Sequence, residues 1–326
     1  MVAKYTKHTV YKKMQILNNC AFICFASFEN RCLQSHSALK QCEFIEKHVL
    51  FFEEFQSYSA ENKNKLFSDM VSYIEIKLKS CNPIDSMDSL LSIFDNYVKL
   101  GVKNVIVDVT CFNREILLMI IRIVNEKKSS FENVYFIYNS AEDMNEKFLS
   151  SGILDVHSVL GYGGLISPLK KDHMIIMLGF EIDRAKKIIE IYEPDCVTIV
   201  IGKESRSINK KLHIKNKETL GQLQASIDIG KYSNLPIKII EIAIDDALET
   251  QRDLNHIIVN YPDHNNIIAP LNTKLSTVGA AFCAIKDPRV QICYSQMALY
   301  NFVDYSIPSD EFYVFNIKEQ LAQLKQ

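Results

Sequence analysis

Nine short runs of β-forming residues punctuate the chain, and between several of them the apolar positions recur at the spacing of an amphipathic helix. The runs are AFICFAS (21–27), HVLFFEEF (48–55), NVIVDVT (104–110), NVYFIYN (133–139), HMIIMLG (173–179), CVTIVIG (196–202), PIKIIEIAI (236–244), NIIAP (266–270) and VQICY (290–294). Those apolar on both faces, such as VIV and TIVI, suit the middle of a parallel sheet covered by helices on either side. Helices are predicted over 59–80, with Ser59 as N-cap, and over 113–128. Two more are predicted to close at prolines, one over 180–194 at Pro194 and one over 274–288 before Pro288. Alternation of strand and helix makes the fold class α/β with mostly parallel sheets.

The segment SSGILDVHSVLGYGGLISPLKKD (150–172) is rich in Gly and Ser and weak in periodicity, which places a domain boundary there. Two lobes follow, 1–150 and 151–326. Their order of features agrees. FASFENR (25–31), VIVDVTCFNREILL (105–118) and VYFIY (134–138) in the first lobe match MLGFEIDR (177–184), IIAPLNTKLSTVGAAF (267–282) and VQICY in the second. Internal duplication of a Rossmann-like lobe explains the agreement.

Composition narrows the function classes. The 326 residues are 48% hydrophobic and 23% charged, with a net charge of −2, so no overall basic field points to nucleic acid. No apolar run approaches the roughly 20 residues of a membrane span. The N-terminal basic residues precede only a short apolar run, and Glu29 and Arg31 stand where small residues would define a cleavage site, so this run reads as a first strand. Nine cysteines without a C-x-x-C pair or a framework indicate a reducing, cytoplasmic setting, and neither they nor the eight histidines have the spacing of a metal site. P-loop, H-E-x-x-H and G-x-S-x-G motifs are absent, so no catalytic residue and no cofactor are assigned.

The chemistry that remains sits at strand ends. Arg31, Arg114, Arg184 and Lys274 each fall in or near the first turn after a strand. A cation there opposes the helix dipole at about 0.3–1 kcal/mol, so it answers either an anionic ligand or a local carboxylate. Glu29, Glu115 and Glu181 lie close enough in sequence to be those carboxylates. Asp108, Thr110, Asn272 and Thr273 complete the candidate ligand-binding set by hydrogen bonding, together with Glu181, unless Asp108 and Thr110 only cap the following helix. Phe28 and Phe180 read as core wedges. GYGG (161–164) reads as a turn or a phosphate cradle, and Asp245 and Asp246 as a helix cap or a Mg²⁺ pair. IGKESRSINKKLHIKNK (201–217) reads as a projecting hairpin or loop. Its Lys203, Arg206, Lys210, Lys211 and Lys215 form either a solvated face or a contact with nucleic acid or an acidic partner.

DVTCFNR (108–114) resembles the Asp/Asn-x-Ser/Thr-x-x-x-Arg/Lys signature of CARF domains, carried here by Asp108, Thr110 and Arg114. A tandem pair of such lobes is similar to the SAVED arrangement of bacterial antiviral systems. PLNTK (270–274) in the second lobe departs from the signature, offering similar groups at another spacing. The resemblance implies two CARF-like lobes that bind a cyclic oligonucleotide or another phosphorylated ligand at strand carboxyl ends. It also implies a protein partner carrying the effector activity. The expected function is therefore a non-catalytic sensor in bacterial antiphage defence. A structural or regulatory subunit of a defence complex is the alternative, and a nucleotide hydrolase comes third.

Overall fold

The computed structural model describes residues 2–69, 72–145, 148–228 and 232–324. Two units divide the chain, residues 1–145 with 302–326, and residues 146–301.

The first unit runs β1 (Ala3–Tyr5), α1 (Lys7–Met14), β2 (Cys20–Phe25), α2 (Cys32–Leu39), β3 (Glu46–Phe52), α3 (Gln56–Asp69), β4 (Tyr73–Leu78), α4 (Pro83–Lys99), β5 (Asn104–Asp108), α5 (Arg114–Lys127) and β6 (Asn133–Met144). The second runs β7 (Ser150–Ser158), β8 (Lys171–Met177), α6 (Ile182–Tyr192), β9 (Cys196–Gly202), α7 (Lys210–Asp228), β10 (Ile237–Ile242), α8 (Ala247–Ile258), β11 (His264–Pro270), α9 (Lys274–Lys286) and β12 (Gln291–Tyr300). The chain then returns to the first unit with β13 (Ser306–Asn316) and α10 (Ile317–Gln323).

Among the described residues the first sheet has seven strands, ordered β4-β3-β2-β5-β6-β13-β1, and the second has six, ordered β10-β9-β8-β11-β12-β7. The first five strands of each are mutually parallel, and the sixth, β13 or β7, is antiparallel to the fifth. The fold is therefore α/β with two Rossmann-like, mostly parallel sheets, and their orders coincide strand for strand over six strands. Duplication requires such a match. The sixth strands break the chain order: β7 precedes the five strands it joins, whereas β13 follows a whole unit after its partner β6.

Burial explains the central strands. All six residues of β2 and all five of β5 are buried. Phe22, Cys24, Val49, Phe51, Ile106 and Ile137 build one apolar layer on the first sheet. Met174, Ile176, Val197, Ile199, Ile267 and Ala269 build its counterpart in the second unit, under α6 and α7. All nine cysteines are thiols, five of them buried, where they pack as small apolar groups. No described helix is long and apolar enough to cross a membrane.

Four expectations differ from the structure. All nine expected strands form, but the helix expected over 59–80 holds two elements, α3 and the strand β4. In β4, YIEIKL, the period of two is carried by an exposed edge strand whose Glu75 and Lys77 look helical in composition. Ser59 is no N-cap: it lies inside α3, and its hydroxyl donates to the carbonyls of Phe55 (3.2 Å) and Gln56 (3.3 Å). The segment 150–172 opens with β7 instead of a linker. Finally, Ser306–Gln323 belongs to the first unit, because β13 pairs with β6 and α10 packs beside it.

Candidate functional site

Parallel α/β sheets take ligands beyond the carboxyl ends of their strands. At that end of the first unit, the turn after β2 holds Arg31 in a closed network. Its Nη2 lies 2.6 Å from Glu29 Oε2, Nε donates to Ser306 Oγ (2.8 Å), and Nη1 donates to the carbonyl of Asn139 (3.3 Å). The Ser306 hydroxyl in turn donates to Glu29 Oε2 at 2.6 Å. In the second unit Arg184 Nη1 lies 2.9 Å from Glu181 Oε2, and the Ser150 hydroxyl donates to the same carboxylate. The two arrangements repeat: a Glu after the sheet's third strand (β2 or β8), an Arg at or before the next helix, and a Ser opening the antiparallel sixth strand. Of the two readings open for Arg31 and Arg184, the geometry shows carboxylate pairing, with Glu181 as the partner of Arg184. Their charge is answered from within each unit.

A second repeat escaped the sequence reading. Asn62 of α3 donates to the carbonyls of Ser27 (3.0 Å) and Phe28 (3.3 Å), and Asn216 of α7 donates to those of Leu178 and Gly179, both at 2.9 Å. Each asparagine is 4% exposed and ties down the exit of β2 or β8. Neither stood in a motif, and only the sheet order reveals the equivalence. Gly179 sits in this exit because a Cβ there would meet the Leu271 carbonyl oxygen at 2.1 Å. Phe28 is half-buried and packs edge-on against Phe302 (5.0 Å) and Tyr305 (5.4 Å), outside the buried core.

The segment 108–114 is held equally firmly. Asp108 is buried, and its Oδ1 accepts the Thr110 backbone N–H at 3.0 Å. Burial pushes its carboxyl up to about 6, against the hydrogen bonds of Thr110 and Ser35 and the charge of Arg31, which pull it down. The Thr110 hydroxyl accepts the Asn139 backbone N–H (2.9 Å). Neither residue caps α5; Asn113 does, accepting from the N–H of Ile116 at 2.8 Å. In the second unit Asn272 donates to the Leu178 carbonyl. Thr273 caps α9 through Ser276 N–H (3.0 Å), and its hydroxyl donates to the Ile244 carbonyl (2.7 Å). Asp108, Thr110, Asn272 and Thr273 therefore spend hydrogen bonds inside their units.

Arg114 and Lys274 take matching places at helix starts. Arg114 opens α5 directly after its cap Asn113, and Lys274 opens α9 directly after its cap Thr273. Both are half-buried and both follow the fourth strand of their sheet. The departure of PLNTK from the motif spacing vanishes in three dimensions, since cap and cation occupy one relative position in each unit.

The basic run lies elsewhere on the second unit, and it is no hairpin. It follows β9 and becomes the first turns of α7. Arg206 pairs with Asp245 (Nε–Oδ1, 2.9 Å) and with Glu249, Lys203 with Asp253 at 3.6 Å, and Lys210 with Glu204 at 3.8 Å. His213 and Asn216 are buried. Acidic neighbours thus temper the run, and Lys210 and Lys211 remain exposed while Lys215 is half-buried. Asp246 caps α8 through Leu248 N–H (3.0 Å) and Glu249 N–H (3.1 Å), so neither Asp245 nor Asp246 lacks a protein partner. GYGG is a turn: Gly164 has φ +69°, and a Cβ there would meet the Gln291 backbone nitrogen at 3.0 Å.

No protein-family model matches the chain, and no curated protein matches it. Among solved structures, similarity is recorded to a multidomain module with adenylation, ketoreductase and pseudo-Asub parts from a keto acid-selecting NRPS (9% identity, 78% of this chain, TM-score 0.25), of which the chain spans 26%. An N-terminal ketoreductase from the macrolactin assembly line aligns at 8% identity over 89% of this chain and 72% of its own, with a TM-score of 0.23. A ketoreductase domain from the bacillaene assembly line aligns at 13% identity over 76% and 64%, with a TM-score of 0.21. Likeness of this degree carries no reading of function to the present chain.

Proposed function

We propose that the protein is a non-catalytic sensor of a nucleotide or other phosphorylated ligand, received at the carboxyl ends of its strands. The observation that supports this reading is the repeated placement of Arg114 and Lys274. Each is a cation at the first position of the helix after the fourth strand, preceded by a side-chain cap. Helix N-termini favour anions, and a phosphate at that end would be met by both backbone N–H groups and a side-chain cation. Arg31 and Arg184 hold the neighbouring strand exits in place through their carboxylate partners. The CARF-like motif would make the ligand a cyclic oligonucleotide and the setting antiphage defence.

A thermal-shift screen of the whole chain against cyclic di-, tri- and tetranucleotides and mononucleotides tests this. A ligand at about 100 times its Kd adds roughly 2.7 kcal/mol of stability. Arg114→Ala should cut that gain by roughly 1.5–3 kcal/mol, the worth of a charge-assisted hydrogen bond. The unliganded variant is melted beside it, so that loss of ligand response is separated from loss of the free protein's stability. Loss of unliganded stability with an unaltered ligand response overturns the reading.

One observation favours the subunit alternative. Leu165, Ile166 and Leu169 are 70%, 42% and 95% exposed on one short segment, an apolar surface suited to a protein partner. Leu169→Glu would weaken such a complex without affecting ligand response.

A further inference from the structure

The opposite, amino-terminal ends of the strands differ between the units. In the second unit a cavity of about 530 Å³ opens where α8 and α9 hand over to β11 and β12, within the roughly 300–1,000 Å³ of small-molecule sites. Ile258, Val259 and Val290 give it apolar walls, and Lys170, Lys286 and Arg289 outnumber the single acid Asp287 around it.

The first unit shows why the space is open. Phe131 stands two residues before β6, and Arg289 two residues before β12, the same place ahead of the matching fifth strand. Phe131 is 2% exposed and packs edge-on against Phe94 of α4 at 6.1 Å, plugging that end of the first unit. Arg289 cannot serve as the plug, because an unpaired guanidinium is too costly to sink among apolar side chains. It turns to Asp287 instead, with Nε 2.9 Å from Oδ1 and Nη2 2.7 Å from Oδ2. The remaining wall is rigid and polar. Tyr261 is stacked on the buried His173 at 3.7 Å and stands edge-on to His264 at 5.4 Å. His264 Nδ1 is buried without a hydrogen-bond partner among the described residues. Lys170 Nζ donates to the Pro262 carbonyl at 3.1 Å, which holds that cation at the rim.

We infer that this cavity binds a small aromatic anion. Its ring takes the volume that Phe131 fills in the first unit, and its charged group meets Lys286, Lys170 and Arg289. This site is independent of the carboxyl-end site and stands or falls without it.

The test is titration of the full chain, by calorimetry and ligand-observed NMR, with phenylacetate and indole-3-acetate as carboxylates and AMP as a phosphate monoester. Phenylacetamide serves as the neutral control. At least one anion should bind saturably, and which arm responds identifies the anionic group. Phenylacetamide should bind about tenfold more weakly than phenylacetate if the carboxylates respond. Arg289→Phe, which installs the first unit's plug, should lower affinity by about tenfold or more while holding or raising the melting temperature. Lys286→Glu should lower affinity with little effect on melting. Should Arg289→Phe fail to fold, Val259→Trp at the 68% exposed rim blocks the same entrance. No saturable binding of any probe overturns the inference. So does binding that survives both Lys286→Glu and whichever plugging variant folds.

Discussion

Arg31 Nη2 lies 2.6 Å from Glu29 Oε2, and the two side chains keep only 7% and 10% of their surface exposed. With Ser306 donating to the same carboxylate, the pair fastens the exit of β2 to the start of β13. A buried pair broken on one side leaves an uncompensated charge, so Arg31→Ala should cost about 3–5 kcal/mol of unliganded stability. Replacing both partners, as Glu29→Gln with Arg31→Met, should recover much of it, because no lone charge remains buried. Urea denaturation of the three proteins distinguishes this from ligand service, for which Arg31→Ala would be nearly silent without ligand.

The caps beside Arg114 and Lys274 give a smaller, sharper effect. Asn113→Ala and Thr273→Ala should each cost about 1 kcal/mol, the usual worth of an N-cap. Thr273 should cost more, since its hydroxyl also donates to the Ile244 carbonyl at 2.7 Å. Equal and negligible losses in denaturant midpoint would contradict the capping geometry.

The central strands were legible because burial on both faces writes continuous Val and Ile runs such as NVIVD and CVTIVIG. The edge strand β4 and the antiparallel β7 and β13 were not, although the edge strand β10 was. β4 alternates with the strand period but carries Glu75 and Lys77, common in helices, straight after a helical stretch, and β13 begins SIPSDE before its apolar half appears. Ser59 offered the right residue type for a cap, yet the helix had already begun at Gln56. At the site, the neighbouring Glu29 and Glu181 correctly marked Arg31 and Arg184 as open to pairing. The serines that complete the networks, Ser306 and Ser150, lie 275 residues after Arg31 and 31 before Glu181, and only the sheet topology brings them near. The equivalence of Arg114 and Lys274 was obscured because motif spacing counts from the strand, whereas the geometry counts from the helix cap.

Each unit also carries one buried histidine whose imidazole burial holds down from its usual 6.5 to about 4. His48 meets the Tyr97 hydroxyl at 2.7 Å with Glu46 Oε2 at 3.8 Å, and His173 lies between Asn266 Oδ1 (2.8 Å) and Thr198 Oγ1 (2.7 Å). A depressed folded pKa contributes stability that is present above 6.5 and lost as pH falls through 4. Asp108, raised from 3.8 to about 6, acts in the reverse sense: its contribution is full below 3.8 and lost as pH rises through 6. Urea midpoints should therefore rise from acid to neutral pH, the two histidines outweighing the one carboxyl. His173→Gln should flatten that rise. Asp108→Asn should steepen it between about pH 4 and 6 by removing the opposing titration. A wild-type profile that falls across this range would refute the assignment.

The basic stretch opening α7 is where charge and stability separate most cleanly. Lys210 has a side chain 77% exposed and only a 3.8 Å pair with Glu204, and it stands with Lys211 in the first turn. Cations there oppose the helix dipole, so Lys210→Glu with Lys211→Glu should hold or slightly raise stability, by about 0.3–1 kcal/mol per favourable placement. Arg206→Ala should instead lower it, because Arg206 joins Asp245 and Glu249 across the end of β10 and the start of α8. If the run also meets nucleic acid, reversing Lys210, Lys211 and Lys215 removes up to three phosphate contacts. The slope of log K against log salt for a single strand should then shallow by about 2. Filter binding of a labelled oligonucleotide between low and moderate salt measures that slope. An unchanged slope, or no binding at low salt, leaves the run as the solvated face of α7 and turns the search for a partner to the apolar segment at Leu165 and Leu169.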